Sequence, residues 1–404
     1  MAGAMAGTPT NAASVAWLLR RRDTEPVEIW GLTPEERLRR TLRAAGCTQV
    51  ESVEADGAPP AAEAGGVLLL RSDFVFDERL VRALQTAPGT LLVTPEGVAV
   101  AAHVEAARAR EIAGLLAKGA AASATGLRAA TPSELVPAYT AQLRKVEPAY
   151  LFEARPELAR AIEDRTFSAS YKGVTDLVTK WVWPRPAAFV TRRLAAWHVH
   201  PNLITIASWV LAALACWLFA NGAFVAGLVA AWLMTFLDTV DGKLARVTLT
   251  SSRFGNVLDH SLDLIHPPFW YLAWGYPLPS SLAWATAVVV GGYLAGRLLE
   301  GVFLLAFKME SHCWRPIDSL FRTITARRNP NLIFLSVGAL AGRPDLALVM
   351  VALWTIVCFA FHVVRLLQAF RLRRRGGVIE PWDERLRQAL GSKQPAGASV
   401  QEPA

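Results

Sequence analysis

Asp238-Thr239-Val240-Asp241-Gly242-Lys243-Leu244-Ala245-Arg246, followed after eight residues by Gly255-Asn256-Val257-Leu258-Asp259-His260-Ser261-Leu262-Asp263, is the stretch from which the rest of the chain is read. Asp238 and Asp241 are three apart and Asp259 and Asp263 four apart, so on helices each pair projects from one face. The apolar run before Asp238 and the aromatic-rich run after Asp263 predict that both helices enter a membrane. Four carboxylates there repel one another and cost on the order of several kcal/mol each unless cations compensate them. Hard oxygen ligands on two facing helices suit Mg2+ or Mn2+, and a pair of ions is expected. Gly242 and Ala245 keep the same face bare, which lets a bulky ligand approach the backbone, and Arg246 supplies a fork for phosphate. The alternative, two amphipathic helices with merely solvated acids, explains neither the small residues nor the apolar flanks.

Working outward, 404 residues leave room for roughly two or three domains. Hydrophobic residues make up 53% and the mean hydropathy is +0.29, too apolar for an ordinary soluble protein of this size. Charged residues concentrate before about residue 195 and long apolar runs follow it. A formal net charge of +8 raises nucleic acid as a partner. The basic residues instead cluster at the ends of apolar runs, as in Arg192-Arg193, Arg327-Arg328 and Arg371 to Arg375, which marks membrane flanks and argues against nucleic acid. Cys47, Cys216, Cys313 and Cys358 lack metal or redox spacing and read as reduced thiols. Val15 to Leu19 is too short for the core of a signal peptide, so the N-terminal part is expected in the cytoplasm.

Residues 1–24, Ala/Gly/Thr-rich and then basic, are expected to be disordered, and residues 25–150 to form an α/β domain. Val27 to Trp30 reads as a short strand. Thr33-Pro34-Glu35-Glu36 is a capping box with proline at the first helical position, opening a helix to Ala45 that stops at Gly46. Val67 to Leu70 reads as a buried strand and Asp77 to Leu84 as a helix. Thr90 to Val93 and Val98 to Ala102 flank Pro95-Glu96-Gly97 as a hairpin, and Glu105 to Lys118 is a further helix. Gly119 to Pro137 reads as a linker, and Glu153 to Arg165 as a helix. Residues 151–200 form a linker ending in an interfacial helix, Leu177 to Trp197, where Trp181, Trp183, Phe189 and Trp197 mix with Lys180, Arg185, Arg192 and Arg193. Pro184 and Pro186 interrupt it.

Residues 201–375 hold six expected spans: Leu203–Ala220, Ala223–Val247, Asn256–Trp274, Leu282–Phe307, Leu332–Ala341 and Leu346–Phe370. The connections on one side carry a single basic residue, Arg343. Those on the other carry Lys243, Arg246, Arg253, Lys308, Arg315, Arg322, Arg327 and Arg328, and the tail adds Arg371 and Arg373 to Arg375. The positive-inside rule then puts both termini and the aspartates on the cytoplasmic side of the inner membrane. Residues 376–404 form a short tail with one amphipathic turn near Trp382 to Leu390.

The spacing D-x2-D-G-x2-A-R-x8-G-x3-D-x3-D resembles the signature of the CDP-alcohol phosphotransferase family without a departure, and Pro201-Asn202-Leu203-Ile204-Thr205 resembles that family's Pro-Asn-x-x-Thr opening of the first span. The resemblance implies an α-helical integral membrane enzyme, a homodimer among membrane lipids, that takes a CDP-linked alcohol donor and a hydroxyl acceptor and releases CMP. More weakly, Trp30 to Gly46 and Leu68 to Leu84 resemble a nucleotidyltransferase-type α/β domain, with Glu36-Arg37-Leu38 and Ala45-Gly46 matching its helix and Asp73 its metal-binding aspartate. Such a domain is fused to the membrane core in inositol phosphodiester synthases. Gly31-Leu32-Thr33-Pro34 lacks the further glycines and the basic residue needed to cradle a triphosphate, so a non-catalytic remnant or scaffold is expected.

Phosphoryl transfer from a CDP ester requires a neutralised pyrophosphate, a deprotonated acceptor and exclusion of water. The resemblance makes Asp238, Asp241, Asp259 and Asp263 the metal ligands and Asp263 also the general base. Asp238, Gly242, Ala245, Arg246 and Gly255 would meet the CDP donor. Arg297, Arg327, Arg328 and Arg365, near the mouth of the core, are candidates for binding an acceptor that carries its own phosphate. Arg297 with Glu300 also reads as an ion pair within one helix, and His260 as a neighbour of the motif. The leading reaction moves a phosphatidyl or polyol-phosphate unit. Phosphocholine or phosphoethanolamine transfer to a lipid hydroxyl is the alternative, and a membrane scaffold or cation transporter the rival of another class.

Overall fold

Val15–Arg20, far from being disordered, is an inner strand of a six-stranded sheet in the computed structural model, which describes residues 13–21, 25–54, 65–119, 122–140, 145–171 and 173–383. Two compact units emerge. The first joins Met1–Tyr171 with Leu194–His198 and Ala245–Thr250, and the second takes the rest. In chain order the first contains β1 (Val15–Arg20), α1 (Pro34–Ala44), β2 (Gln49–Glu54), β3 (Gly66–Arg71), β4 (Phe74–Phe76), α2 (Glu78–Gln85), β5 (Thr90–Val93) and β6 (Ala99–Glu105). It continues with α3 (Ala106–Ala117), β7 (Arg128–Ala130), α4 (Pro132–Leu135), β8 (Tyr139–Thr140), β9 (Lys145–Val146), β10 (Leu151–Glu153) and α5 (Ala159–Ala169).

The sheet order is β2-β1-β3-β6-β5-β7, with β1 parallel to β2 and β3, and β6 antiparallel to β3 and β5. Leu18 lies opposite Ser52 on one side and Leu70 on the other. Alternation along the strands divides the core into two layers. Leu18, Leu68 and Leu70 pack with Leu38, Leu42, Leu80 and Leu84 of α1 and α2, while Trp17, Leu19 and Leu69 pack with Ile112 and Leu116 of α3. α1 starts where expected, with half of the capping box formed: Thr33 Oγ1 accepts from the Glu36 amide at 3.2 Å and Pro34 opens the helix, while the Glu36 carboxylate accepts from Arg40 Nε at 2.8 Å.

Several expectations are corrected. Val27 to Trp30 is no strand but an irregular loop closed by one bridge, Ile29 to Leu32, with Trp30 at φ +57°. Trp30 is held there by its Nε1, which donates to Thr166 Oγ1 at 2.8 Å, and by stacking on Phe167 at 5.6 Å. The expected linker after Gly119 contains β7, which pairs with β5 at the sheet edge. The helix expected from Glu153 is α5, preceded by β10 on β4. Within this unit Arg37 Nη1 donates to the Val247 carbonyl at 2.7 Å and Arg40 Nη1 to that of Thr248 at 2.9 Å, covering carbonyls that a helix end leaves open.

The second unit is helical. A π-helical turn, Val178–Val182, precedes α6 (Pro184–Ala196), so the break falls at Pro184 as expected, while Pro186 is accommodated in the first turn of α6. Then come α7 (Pro201–Ala220), α8 (Phe224–Val247), α9 (Arg253–Gly275), α10 (Ala283–Phe307), α11 (Pro316–Arg322), α12 (Arg328–Leu340) and α13 (Pro344–Arg374). On α7 the outward residues Leu203, Ile206, Val210, Leu214 and Trp217 are 42–63% exposed, while Thr205, Ser208, Ala212, Ala215 and Phe219 are buried. A helix that turns apolar side chains outward and small or polar ones inward is made for lipid rather than water. Among the described residues four helices are long and apolar enough to cross a membrane: Pro201–Ala220, Phe224–Val247, Ser280–Phe307 and Pro344–Arg374. Together they make this an integral membrane protein. Of the six expected spans, α9 and α12 fall outside that set. The first carries acids and two prolines, and the second has 13 residues. Of the expected tail, residues 384–404 lie outside the described residues.

Helices meet closely at Gly338, where an added Cβ would lie 2.4 Å from Ala347 Cβ and 3.0 Å from the Arg343 carbonyl oxygen. Neither neighbour can rotate away. Gly338→Ala is therefore expected to lower the thermal midpoint in detergent by an amount equivalent to ~1–3 kcal/mol, whereas Gly291→Ala, which meets nothing within 4 Å, should not.

Candidate active site

Asp238, Asp241, Gly242 and Ala245 recur at helical spacing on one face of α8, as the sequence implied. Asp241 is buried at 3% exposure, and its Oδ2 accepts the Thr205 hydroxyl of α7 at 2.6 Å. Thr205 closes the Pro-Asn-x-x-Thr segment, and its structural task is now visible: it orients Asp241. Gly255, at the start of α9, faces the same segment, since a Cβ there would come within 3.0 Å of Asn202 Oδ1. The signature glycine thus serves helix packing at that point.

Across from α8, Asp263 on α9 and Asp238 converge on one cation. Arg328, at the first turn of α12, donates through Nη2 to Asp238 Oδ2 at 2.5 Å and through Nη1 to Asp263 Oδ1 at 2.8 Å. The two carboxylates differ in access. The Asp238 side chain is 9% exposed and that of Asp263 56% exposed. Arg328 is itself positioned by its neighbour, because Asn329 Nδ2 donates to Asp176 Oδ1 at 2.9 Å. Asp176 also caps the π-helical turn through the amides of Val178 and Thr179, both at 3.1 Å.

The four arginines expected at an acceptor do not share one task. Arg328 is engaged by the two aspartates, because its planar fork spans two carboxylates at once. Arg365 is also corrected: both prongs of its guanidinium hold the buried Asp318, at 2.6 and 2.8 Å, and its plane covers Trp314 at 4.4 Å. Arg327 and Arg297 flank Glu300 at 2.5 and 3.1 Å, two cations on one carboxylate, so the ion pair within α10 exists and Arg327 extends it. Arg327 Nε is buried with no hydrogen-bond partner. A cavity of about 30 Å³ beside them, lined by Tyr293, Arg297, Glu300, Arg327 and His362, holds no more than a water or so. Arg246 ends the α8 face and is exposed.

The donor set fits a hard divalent cation. Asp238 and Asp263 bring carboxylate oxygens from two helices to a single point that a guanidinium now occupies, and Asp241 is oriented from the side. Among the described residues no three His, Cys, Asp or Glu side chains group as a metal site, and the Asp259 side chain lies outside the described residues.

The first unit has its own cavity, about 520 Å³, at the carboxyl ends of β1, β2 and β3, where ligands of parallel α/β sheets commonly sit. Among the described residues its lining offers no free metal-binding aspartate. Asp73 is buried and takes Arg71 Nε and Nη2 at 3.0 and 2.6 Å, with Arg21 at 3.8 Å. Arg20, Glu35 and Glu54 line the same space as ion pairs. Despite burial, which works against ionisation, hydrogen bonds from Arg20 and Ser52 hold the Glu35 carboxyl at about 2.

Residues 198–327 match the family model for CDP-alcohol phosphatidyltransferase. A bifunctional IPC transferase and DIPP synthase of Rubrobacter xylanophilus is 30% identical over 162 residues, covering 37% of this chain and 33% of the relative. An archaetidylinositol phosphate synthase of Aeropyrum pernix is 37% identical over 112 residues, 26% of this chain and 57% of the relative, and one of Pyrococcus horikoshii is 29% identical over 113 residues. The chain thus spans between a third and three-fifths of the length of the curated relatives it matches. Among solved structures, Mycobacterium tuberculosis phosphatidylinositol phosphate synthase with CDP-DAG bound aligns with 19% identity and a TM-score of 0.37, over 45% of this chain and 94% of that one.

Proposed function

We propose that the chain, whose residues 198–327 match the CDP-alcohol phosphatidyltransferase family model, transfers a phosphatidyl or polyol-phosphate unit from a CDP-linked alcohol to an alcohol hydroxyl and releases CMP. The observation that carries the proposal is the convergence of Asp238 and Asp263 from separate helices on one cationic point, with Asp241 fixed beside them by Thr205. Asp238, Asp241, Asp259 and Asp263 would hold Mg2+ or Mn2+, in our reading two ions, which when bound supply the charge that neutralises the pyrophosphate. Buried Asp238 and Asp241 act as ligands. Asp263, the accessible carboxylate, takes the proton from the acceptor hydroxyl, with Oδ1 held by Arg328 and Oδ2 left to receive it. Arg246 grips a donor phosphate at the end of the α8 face, where Gly242 and Ala245 leave room for the nucleotide.

The acceptor carries a phosphate of its own in this reading. Arg297 and Arg327 leave one positive charge in excess over Glu300, and Arg327 retains an unused donor at Nε. Two of the relatives are named for a product containing inositol phosphate, which supports the same class. α9 and α12 complete a core of six spans, the aspartates and both termini face the cytoplasm, and the chain works as a homodimer in the inner membrane. The α/β unit is a scaffold without nucleotidyl transfer, a reading supported by the buried Arg71 partner of Asp73.

Membranes supplied with a panel of CDP-alcohols and acceptors, with CMP release followed, test the reaction. Arg327→Ala should raise the acceptor KM at least ~10-fold and leave the donor KM within about twofold, because a charge-assisted phosphate contact contributes roughly 1.5–3 kcal/mol. Faster turnover of diacylglycerol or another neutral lipid alcohol than of any phosphorylated acceptor would favour phosphocholine-type transfer instead.

A further inference from the structure

Pro267 and Pro268 lie inside α9, one turn beyond Asp263. In an unbroken helix the amides of residues 267 and 268 would donate to the carbonyls of Asp263 and Leu264, and proline has no N–H to give. The carbonyl of the proposed general base is therefore one of two left open by the sequence. Both are filled from another helix: the Tyr293 hydroxyl of α10 lies 3.1 Å from the Asp263 carbonyl oxygen and 3.2 Å from that of Leu264. One hydroxyl shared between the two carbonyls closes the gap that the proline pair opens. The Tyr293 ring also faces the Arg297 guanidinium at 5.5 Å, and Arg297 is paired with Glu300.

We propose that Tyr293 is a positioning residue for Asp263: it fixes the main chain at the proline break and so sets where the carboxylate meets the acceptor hydroxyl. The proposal rests on the role of Asp263 given above. It differs from a plain packing role because only the hydroxyl matters and only while the prolines are present. A helix turn with two unsatisfied carbonyls relaxes by opening, which moves the Asp263 Cα, and displacements below an ångström at a reacting group already cost rate.

The test uses the full chain in detergent or membranes. Tyr293→Phe keeps the ring over Arg297 and removes the hydroxyl. It is expected to lower kcat for CMP release on the order of 10-fold, with the donor KM unchanged. Pro267→Ala restores the N–H aimed at the Asp263 carbonyl, and in that background Tyr293→Phe should lower kcat less than about twofold. Equal loss in both backgrounds, or no loss in either, overturns the proposal. Thermal melting gives a readout independent of the reaction: Tyr293→Phe should lower the midpoint in the natural background and leave it nearly unchanged beside Pro267→Ala. If no CDP-alcohol yields CMP with the unaltered protein, the proposed function fails, while this melting difference still decides whether the hydroxyl closes the break. Should Pro267→Ala not fold, Pro268→Ala, which restores the partner of Leu264, replaces it with the same expected ordering.

Discussion

Asp238→Asn and Asp241→Asn are each expected to reduce CMP release by about 1,000-fold or more, the scale on which losing charge stabilisation at a transferred phosphoryl group acts. The two should differ in what else they do. In Asp241→Asn the new amide oxygen still accepts the Thr205 hydroxyl, so the protein should melt close to its original midpoint. The Asp238 side chain is 9% exposed and shares Arg328 with Asp263, so Asp238→Asn leaves that half-buried guanidinium with one full carboxylate partner. Its midpoint should fall measurably. Asp263→Asn keeps a hydrogen-bond acceptor for Arg328 and loses the proton acceptor, so its loss should lie in kcat. CMP release at saturating Mg2+, read beside melting curves and size-exclusion profiles, separates these outcomes. Retention of a tenth of the activity by either α8 variant would sink the ligand assignment.

Deletion of residues 1–21 is expected to unfold the α/β unit outright. β1 is bonded on both edges, to β2 and β3, and Ala16, Trp17, Leu18 and Leu19 are 0–2% exposed. Burial of the three large side chains contributes roughly 1.5–3 kcal/mol each, and their sum is comparable to the whole stability of a domain. Limited trypsin digestion should cut the shortened chain rapidly between residues 25 and 150 and leave the full chain resistant there. A protease-resistant α/β unit without β1 would show that the sheet tolerates loss of an inner strand. A shortening that removes the entire unit tests the scaffold reading, because retained CMP release would then separate the two units functionally.

The start of the chain shows why one strand escaped the sequence. An inner strand buried on both faces reads as a short apolar run without alternation, and Val15 to Leu19 stands between an Ala/Gly/Thr-rich segment and a basic one. Nothing local distinguishes it from a fragment of disordered chain. By contrast Thr33 caps the Glu36 amide three residues on, with Pro34 between them at the first helical position, and the Thr90–Val93 and Ala99–Glu105 hairpin closes over a short turn. Their outcomes were legible because the interaction partners lie inside the reading window. Val27 to Trp30 failed for the opposite reason: its β-rich composition is overruled by Thr166 and Phe167, more than a hundred residues away.

The same division runs through the site. Helical periodicity alone places Asp238, Asp241, Gly242 and Ala245 on one face, and the lengths of the apolar runs alone commit the second half of the chain to a membrane. Charge counting also marked Arg297, Arg327, Arg328 and Arg365 as cations in search of anions. It did not say which anion each would find. The 65 and 90 residues that separate Arg328 from Asp263 and Asp238, and the 47 between Arg365 and Asp318, are closed only by helix packing. Pro267 and Pro268 likewise announce two orphaned carbonyls in the sequence, since a missing N–H is a covalent fact. That the hydroxyl of Tyr293 fills them is a matter of which helix lies alongside, and that is settled by the fit of side chains between α9 and α10 rather than by either sequence segment.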